Sequence, residues 1–440
     1  MAEADTAIDL RAGLVVVGAG PAGLAAAWAA SRAGVDVVLL DSGPMAGGQV
    51  WRARQGVAAA PVARALAGLA RAGVRVLAGT KVVMPLPGRT LLVDGPDGAR
   101  RLHWSRLVLA TGARERLLPF PGWTLPGVFG AGGLQALVKG GWPIHGQRVL
   151  VAGTGPLLLA AAATLRREGA ALAGLAEEAG PRALVRFCTT LLAHPGKGLQ
   201  ALRLGAALMG VPLLAGRRVV AAEGDGHVER VVLEEGGRTR TIACDALAAS
   251  WGLVPQTELG QALGCALAPC FGADALAVDA GQRTNVAGVF AVGECTGVAG
   301  AAAAQLQGEI AGRAVAAELA SAPPPPDRLT RRLVREHAFA AAVAATFAPP
   351  ARWRDRLRDD TLVCRCEDVP WSAVRDQPDL RSAKLATRCG MGHCQGRLCH
   401  DTLASVMQWP RLPVRAPLAP APLAALLAAF DPSFTEEPLK

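Results

Sequence analysis

Apolar runs alternate with glycine turns and alanine-rich stretches in the amino-terminal part of the chain. The run Leu14–Val17 leads into the glycine-rich residues 18–23, an alanine-rich stretch reaches Ala33, and a second apolar run ends at Asp41. A short apolar run bounded by a turn predicts a strand, and the longer alanine-rich stretch predicts a helix. Strand, helix and strand in this order indicate a parallel α/β sheet.

The same alternation returns in the middle of the chain. Residues 148–158 predict a strand, a glycine turn and an apolar helix, and residues 170–177 supply the next strand. Two more strands are predicted within 106–116 and 284–297, each ending in a turn. The pattern predicts two Rossmann-like units, the second inserted between the two halves of the first.

The glycines after the first strand have the spacing of a dinucleotide-binding loop, Gly18-x-Gly20-x-x-Gly23, with Pro21 and Ala22 inside it. Gly18 permits the tight turn, Gly20 lets the backbone approach a pyrophosphate, and Gly23 lets helix and strand pack closely. The free N–H groups of the following helix then face the phosphates. Asp41 ends the second strand, where a carboxylate accepts a hydrogen bond from a ribose hydroxyl.

The second loop departs from this pattern. Gly153 and Gly155 repeat the first two glycines, but Leu158 stands at the third position and should push the helix off the strand. Glu177 ends the following strand and can offer the ribose carboxylate. Three alternatives stay open for this loop: it binds NAD(H), it binds another adenine nucleotide, or it binds nothing.

The composition limits the class of protein. With 440 residues, 51% hydrophobic and 19% charged, the chain is expected to be globular, with two to three domains. The net charge of +10 comes without an aromatic-interleaved basic patch or a docking motif, so we expect no nucleic-acid partner. Neither an export signal nor a membrane-spanning segment is expected, which predicts a cytoplasmic protein with reduced thiols.

The carboxyl-terminal part begins after a proline-rich break at 320–327, which predicts a stiff connector followed by a basic helix at about 328–346. We expect boundaries as follows: the first unit at 12–118 and 249–320, the inserted unit at 119–248, the connector and basic helix at 321–359, a cysteine domain at 360–410, and a tail at 411–440.

Five of the ten cysteines fall in the cysteine domain, as Cys364-x-Cys366, Cys389 and Cys394-x4-Cys399. Four thiolates suit zinc or an iron–sulfur cluster. A Cys-x-Cys pair is tight for one zinc ion, whereas a [2Fe–2S] cluster needs two pairs of thiolates, one for each iron. Helices are predicted at about 370–377 and 396–407. The other five cysteines are expected to be buried thiols, and no Cys-x-x-Cys motif supports disulfide-reductase chemistry.

With "GGQVW" (47–51), "RLVLATGARER" (106–116) and "TNVAGVFAVGECTG" (284–297), the first unit resembles the glutathione-reductase-like flavoproteins, which have two dinucleotide-binding domains. The resemblance implies FAD, with a late strand whose terminal acid bonds the ribityl chain. Here that acid is a glutamate rather than the usual aspartate. The implied FAD contacts beyond the first loop and Asp41 are Gly48, Gln49, Thr111, Gly112, Gly293 and Glu294.

The segment "TRCGMGHCQGRLC" (387–399) resembles the [2Fe–2S] domain of the bacterioferritin-associated ferredoxin type. The chain combines this segment with "ATGARERLLPFPGWTLPGVFGAGGLQALVKGG" (110–141). In both segments it resembles the A-type subunits of heteromeric amine dehydrogenases, such as opine oxidases and hydrogen cyanide synthases. The resemblance implies Cys364, Cys366, Cys394 and Cys399 as cluster ligands. Cys389 stands where the pattern commonly has a small apolar residue, so we expect a buried thiol outside the ligand set, with a spare ligand as the alternative.

The resemblance also implies partners: an FAD subunit of the D-amino-acid-oxidase type, which oxidises the amine, and a small ferredoxin-like subunit. We therefore expect an electron-transfer subunit with FAD and a [2Fe–2S] cluster, in the cytoplasm or peripheral to the inner membrane through its electron acceptor. No residue stands out as catalytic, because the cofactors carry the chemistry. The alternatives are a self-contained NAD(P)H-dependent reductase and a non-enzymatic iron–sulfur carrier.

Overall fold

The structure is a computed structural model that describes residues 9–349 and 353–429. Three stretches lie outside the described residues: residues 1–8, where no export signal is expected, residues 350–352, which follow the predicted basic helix, and residues 430–440, at the end of the predicted tail. The chain forms two compact units. The first contains the described residues up to Ala113, Pro255–Ala340 and the described residues from Pro413, and the second contains Arg114–Val254 and Ala341–Leu412.

The first unit is built on a mixed sheet with the order β3-β2-β1-β6-β5-β4, in which β4, β5 and β6 are antiparallel neighbours. Apolar strands that are buried on both faces form its parallel part. The elements are β1 (Leu10–Val17), α1 (Pro21–Ser31), β2 (Val37–Asp41), α2 (Ala60–Arg71), β3 (Arg75–Ala78), β4 (Lys81–Leu86), β5 (Thr90–Gly95) and β6 (Gly98–Leu109).

The second unit contains a five-stranded parallel sheet with the order β11-β10-β9-β15-β8, and a three-stranded antiparallel sheet of β12, β13 and β14. The elements from residue 113 to 255 are β7 (Ala113–Glu115), β8 (Val128–Gly130), α3 (Ala131–Lys139), β9 (Arg148–Gly153), α4 (Pro156–Arg167), β10 (Ala171–Glu177), α5 (Pro181–Leu192), α6 (Pro195–Ala207), β11 (Leu213–Ala215), β12 (Arg218–Glu223), β13 (Arg230–Glu235), β14 (Arg238–Ala243), β15 (Ala246–Ser250) and β16 (Leu253–Pro255).

The chain then returns to the first unit, where β19 pairs in parallel with β6. Helix α8 packs on α1 through small residues: a Cβ added to Gly308 would lie 2.1 Å from the carbonyl oxygen of Ala22. The elements here are α7 (Glu258–Ala262), β17 (Leu267–Cys270), β18 (Ala273–Leu276), β19 (Val289–Ala291), the 3₁₀ helix Gly293–Thr296, α8 (Gly300–Ala320) and α9 (Asp327–Thr346).

The cysteine segment, which runs from Trp353 to Met407 and includes most of the predicted cysteine domain, belongs to the second unit. It contains a β-hairpin followed by short helices. Its elements are the 3₁₀ helix Trp353–Arg356, β20 (Leu362–Cys364), β21 (Val369–Pro370), α10 (Trp371–Val374), α11 (Leu380–Thr387) and α12 (His400–Met407), and α13 (Leu423–Leu427) follows in the first unit. The expected helix at 370–377 is shorter than predicted. The helix predicted from 396 begins only at His400, because Gln395 and Gly396 have positive φ angles that end regular helix geometry.

The α/β fold class predicted from the sequence, with two Rossmann-like units and a small helical cysteine region, is confirmed. Among the described residues, no helix has both the length and the apolar character needed to cross a bilayer.

Candidate functional site

The carboxyl ends of β1, β6 and β19 meet at one edge of the first sheet. Val17 is in register with Leu109, and Leu109 is in register with Ala291. The turns that follow these strands therefore lie side by side. They contain the predicted residues Gly18 to Gly23, Thr111 and Gly112, and Gly293 and Glu294.

The first glycine loop lies too close to its neighbours for side chains at two of its positions. A Cβ on Gly18 would lie 2.3 Å from the Ala110 carbonyl oxygen, and a Cβ on Gly23 would lie 1.8 Å from the Gly18 carbonyl oxygen. Gly18 also has a φ of +107°, which an L side chain rarely adopts. The roles predicted for these two glycines, a tight turn and close helix packing, agree with this geometry.

Asp41 supports the same loop from the end of β2. Its carboxylate accepts hydrogen bonds from the backbone N–H groups of Ala19, at 2.6 Å, and of Gly43, at 2.7 Å. The next predicted segment approaches the loop from the other side, because a Cβ on Gly48 would lie 3.0 Å from the Cα of Gly20. Gln49 follows as an exposed residue and accepts a hydrogen bond from Arg52.

Glu294 is the one predicted acid of this site that lacks a protein partner. Burial raises the pKa of its carboxyl group, yet no donor reaches that group from the described part of the chain. The backbone beside it is satisfied: the Gly293 N–H donates to the buried Gln307 side chain at 2.9 Å. A half-buried carboxylate without a partner, next to a glycine loop, fits a ligand that brings its own hydroxyl groups.

Two further side chains near this edge make their hydrogen bonds to backbone carbonyl oxygens of the protein. The Thr111 hydroxyl donates to the Gln256 carbonyl oxygen at 2.7 Å, which fixes the turn after β6. The Cys295 thiol is fully buried, donates to the carbonyl oxygens of Leu109 and Val292, and has its pKa raised to about 11 by burial. Cys295 is therefore an inert core thiol, as predicted.

In the second glycine loop, the predicted acid makes its hydrogen bonds within the loop, and an aromatic side chain lies nearby. Glu177 is buried and accepts hydrogen bonds from the Thr154 hydroxyl at 2.6 Å, the Gly155 N–H at 2.9 Å and the Ala179 N–H at 2.8 Å. A Cβ on Gly155 would lie 3.8 Å from the Cβ of Phe347, so that ring lies close to the start of α4. The Leu158 side chain is fully buried in the core between β9, α3 and α4.

Gly153 makes the close approach expected of the first glycine in a Rossmann loop. A Cβ there would lie 1.8 Å from the Ser250 carbonyl oxygen, at the end of β15. The second loop therefore keeps the tight turn of the first. Its acid differs in two ways: Glu177 is buried whereas Asp41 is half-buried, and Glu177 accepts one more hydrogen bond, from the Thr154 hydroxyl.

Three cysteine sulfur atoms come together in the cysteine segment. Those of Cys364, Cys389 and Cys399 all lie within 4.8 Å of one another, and the three residues are buried. The Cys364 sulfur also accepts the Gly390 N–H at 3.4 Å. Hydrogen bonds from the Cys389 and Cys399 thiols hold the pKa of Cys364 far below its ordinary value, and the Cys364 thiolate raises the pKa of Cys389 to about 12.

Cys366 and Cys394 form a second pair, closer to solvent. Cys366 is exposed and Cys394 is half-buried. Partial burial raises the pKa of Cys366, the Cys394 thiol adds to the rise, and a hydrogen bond from the Cys394 backbone opposes it. The structure thus brings the cysteines together in two groups, Cys364 with Cys389 and Cys399, and Cys366 with Cys394, so two predicted ligands lie in each group. All-thiol donors in two such groups fit an iron–sulfur cluster.

The sequence did not single out His400, which shapes this segment. Its ring lies against the backbone at two glycines: a Cβ on Gly390 would lie 1.8 Å from Nε2, and a Cβ on Gly396 would lie 2.3 Å from Nδ1. Burial lowers the pKa of the His400 ring. Gly390 and Gly396, which lie on either side of Cys394, could have indicated a closely packed side chain, because a backbone position that lies against a ring often needs glycine. Cys188 was also predicted incorrectly, since it is exposed.

The cysteine segment is fixed to the inserted unit by buried polar contacts. The Trp123 indole N–H donates to the Leu362 carbonyl oxygen and the Trp353 indole N–H to the Pro119 carbonyl oxygen, both at 2.6 Å. Arg114 pairs with Asp401 and donates to the Arg397 carbonyl oxygen at 3.0 Å. These contacts hold both cysteine pairs at a fixed position on the second unit.

A family model described as pyridine nucleotide-disulphide oxidoreductase matches residues 12–314. The chain is 36% identical over 421 residues to hydrogen cyanide synthase subunit HcnB of Pseudomonas aeruginosa, covering 88% of this chain and 90% of that protein. It is 32% identical over 458 residues to the A-type subunit of opine oxidase from Rhizobium meliloti, covering 95% and 99%. The structure is similar to that of L-proline dehydrogenase from P. horikoshii, with a TM-score of 0.71, 21% identity, and 96% and 81% coverage.

Proposed function

The chain belongs to the pyridine nucleotide-disulphide oxidoreductase family, and we propose that it is the electron-transfer subunit of a heteromeric amine or amino-acid dehydrogenase. Its relatives are named as subunits of hydrogen cyanide synthase and opine oxidase, and they match it over almost its whole length. The resemblance to A-type subunits that the sequence indicated is confirmed by these matches. The family supports FAD as the cofactor of the first unit.

FAD would be held at the shared edge of β1, β6 and β19. The N–H groups at the start of α1 would face the pyrophosphate, Asp41 would accept from a ribose hydroxyl, and Glu294 would accept from the ribityl chain. The remaining contacts would come from the turns at Gly48 and Gly112. Bound there, a flavin supplies two-electron redox chemistry, while the chain contributes binding, orientation and exclusion of water.

A [2Fe–2S] cluster would be held by Cys364 and Cys399 on one iron and by Cys366 and Cys394 on the other. This assignment follows the resemblance, and it is supported by the contact of Cys364 with Cys399, by that of Cys366 with Cys394 and by the N–H donor from Gly390 to Cys364. Such a cluster supplies one-electron chemistry. A chain with a two-electron and a one-electron centre suits passing electrons onward in single steps, and none of its described residues is assigned a catalytic role.

Electron entry from NAD(P)H is the alternative, through the inserted unit. We favour a protein partner because Glu177 is buried and bonded to the Thr154 hydroxyl, whereas Asp41 is half-buried, and because Phe347 lies near Gly155. NAD(H) or another adenine nucleotide that binds this loop structurally stays the alternative occupant. The proposed partner is an FAD subunit of the D-amino-acid-oxidase type. A small ferredoxin-like subunit would be a further component, and the complex would lie in the cytoplasm or at the periphery of the inner membrane.

The inserted unit offers a surface for this partner on α5 and α6, neither of which has a buried residue. Five of the apolar side chains on and next to these helices are exposed, and the segment from 179 to 222 contains no aspartate or glutamate. Arginines and a lysine lie among these apolar side chains. The exposed apolar residues are Val185, Leu192, Leu199, Leu202 and Met209, and the basic residues on the two helices are Arg182, Arg186, Lys197 and Arg203. Exposed apolar side chains interspersed with basic ones fit a partner surface that is apolar and acidic.

One observation carries the proposal: a single chain combines the converging flavin segments with two pairs of cysteines. Purification of the tagged chain from its source organism tests it. We expect bound flavin, about two irons and two sulfides per chain, and a co-purifying D-amino-acid-oxidase-like protein. Zinc without sulfide would contradict the cluster. Changing Leu192 and Leu202 to aspartate should release the partner, while the same change at the exposed Leu423 should not.

A further inference from the structure

Cys389 is the fifth thiol of the segment, and the ligand assignment above gives it no role. Its side chain is completely buried, and its sulfur lies 4.0 Å from the Cys399 sulfur, with the Cys389 thiol as donor. It also lies within 4.8 Å of the Cys364 sulfur. It therefore contacts both members of one pair and belongs to the buried side of the site.

We propose that the Cys389 thiol donates its one hydrogen bond to the sulfur atoms of Cys364 and Cys399, which share it, and that this bond raises the reduction potential of the cluster that they hold. This inference rests on the proposed function, because it requires the [2Fe–2S] cluster. Cys389 is a positioning and tuning residue in this account, and it does not bind iron.

The physical argument concerns charge. One-electron reduction adds one negative charge to the cluster and its four thiolates, without making or breaking a bond. A donor aimed at a thiolate offsets part of that charge, so it stabilises the reduced state more than the oxidised state and raises the potential. A thiol is a weak donor, but burial strengthens the interaction because no water competes.

The position of Cys389 follows from the local fold. Helix α11 ends at Thr387, Arg388 takes a left-handed conformation with a φ of +64°, and Gly390 has a φ of +80°. These two residues turn the backbone sharply on either side of Cys389. The Gly390 N–H thereby reaches the Cys364 sulfur, so Cys364 is next to a thiol and an N–H from neighbouring residues.

The competing interpretation is that Cys389 binds iron. Two thiolates on one tetrahedral ion lie about 3.8 Å apart, given metal–sulfur bonds of about 2.3 Å, and the 4.0 Å between Cys389 and Cys399 is close to that value. The donor role is favoured because the other four thiols already form two pairs. Removing the thiol distinguishes the two roles, since a ligand is needed for the cluster and a donor is not.

The experiment is a dye-mediated redox titration of the flavin-loaded full chain, followed by EPR, with iron and sulfide measured on the same samples. Wild type is compared with Cys389→Ala, Cys389→Ser and, as a thiol control, Cys188→Ala at an exposed site. We expect Cys389→Ala to keep the cluster at a more negative midpoint potential, Cys389→Ser to return the potential to the wild-type value or above it, and Cys188→Ala to change nothing.

Three results would overturn the inference while leaving the proposed function intact. They are an unchanged potential in Cys389→Ala, a loss of iron and of the EPR signal in Cys389→Ala, and a shift that serine does not reverse. If the alanine variant does not fold, Cys389→Val replaces it, because valine fills a similar volume and has no donor. A wild-type chain without iron and sulfide would overturn both the inference and the cluster assignment.

Discussion

The carboxylate of Glu178 accepts two hydrogen bonds from the guanidinium of Arg356, each at 2.9 Å, in a buried bidentate pair. The Trp251 indole N–H donates to the same carboxylate at 2.8 Å, and the guanidinium lies over the Trp353 ring, 4.1 Å from its centroid. Glu178 directly follows strand β10 of the inserted Rossmann-like unit, and Arg356 ends the 3₁₀ helix at the start of the cysteine segment. The pair thus joins the segment to the sheet that carries it.

Arg356→Ala should lower the free energy of unfolding of the second unit by about 3–5 kcal/mol, because it leaves the buried Glu178 charge without its ion-pair partner. Urea unfolding followed by tryptophan fluorescence measures this loss. The matched control is Arg375→Ala, whose ion pairs with Asp359 and Asp376 are exposed, and which should cost about 1 kcal/mol or less. The double variant Glu178→Gln with Arg356→Met should recover part of the loss, and equal losses in Arg356→Ala and Arg375→Ala would refute the buried pair.

Glu294→Ala should weaken FAD binding by about 10- to 100-fold, the range expected when a ligand loses a hydrogen bond to a charged group. Fluorescence titration of the flavin-free protein with FAD measures the change. Glu235→Ala, at an exposed glutamate on β13, is the control and should leave the affinity unchanged. If both variants bind FAD as the wild type does, Glu294 does not contact the flavin.

The stability of the flavin-free protein should depend on pH through Glu294. Burial raises the pKa of this carboxyl above its ordinary value of 4.5. The folded state therefore holds the proton more tightly than the unfolded state, and stability decreases as the pH rises from that value through the folded-state pKa. Glu294→Gln removes this contribution, so the variant should gain stability relative to wild type as the pH rises above 4.5. A difference in unfolding free energy that stays constant over this range would contradict the assignment.

Cys394→Ala should abolish the EPR signal of the reduced cluster while leaving FAD bound. Cys394 is a ligand on the solvent-side pair, whereas the flavin site belongs to the other compact unit. Absorbance and EPR on the same sample measure both cofactors. An unchanged EPR signal would mean that Cys394 is not a ligand.

The strands, the first glycine loop and Asp41 could be predicted because their signals are local. A buried parallel strand needs a run of apolar residues, and a tight turn at a phosphate site needs glycine whatever surrounds it. The Cys-x-Cys pair was visible for the same reason. The start of α12 was predicted too early, because Gln395 and Gly396 have positive φ angles and Gly396 lies against the His400 ring, a tertiary contact that helix propensity does not reveal.

The contacts that fix the cysteine segment could not be predicted. Arg356 lies in a stretch rich in arginine and aspartate, which looks like an exposed surface in sequence. It becomes a buried ion only because the fold brings it to Glu178, far away in the chain. The same holds for Phe347 beside Gly155 and for Cys389 beside Cys399, since side chains that meet through tertiary packing leave no periodic signal in the sequence.

We propose that electrons enter this chain from a protein partner rather than from NAD(P)H. An anaerobic titration of the purified chain, followed by flavin absorbance and by EPR, tests it most directly. We predict that dithionite bleaches the flavin and produces the EPR signal of a reduced [2Fe–2S] cluster, whereas NADH and NADPH do neither. Full reduction by either nucleotide, with turnover in the presence of an artificial acceptor, would contradict it and establish a self-contained reductase.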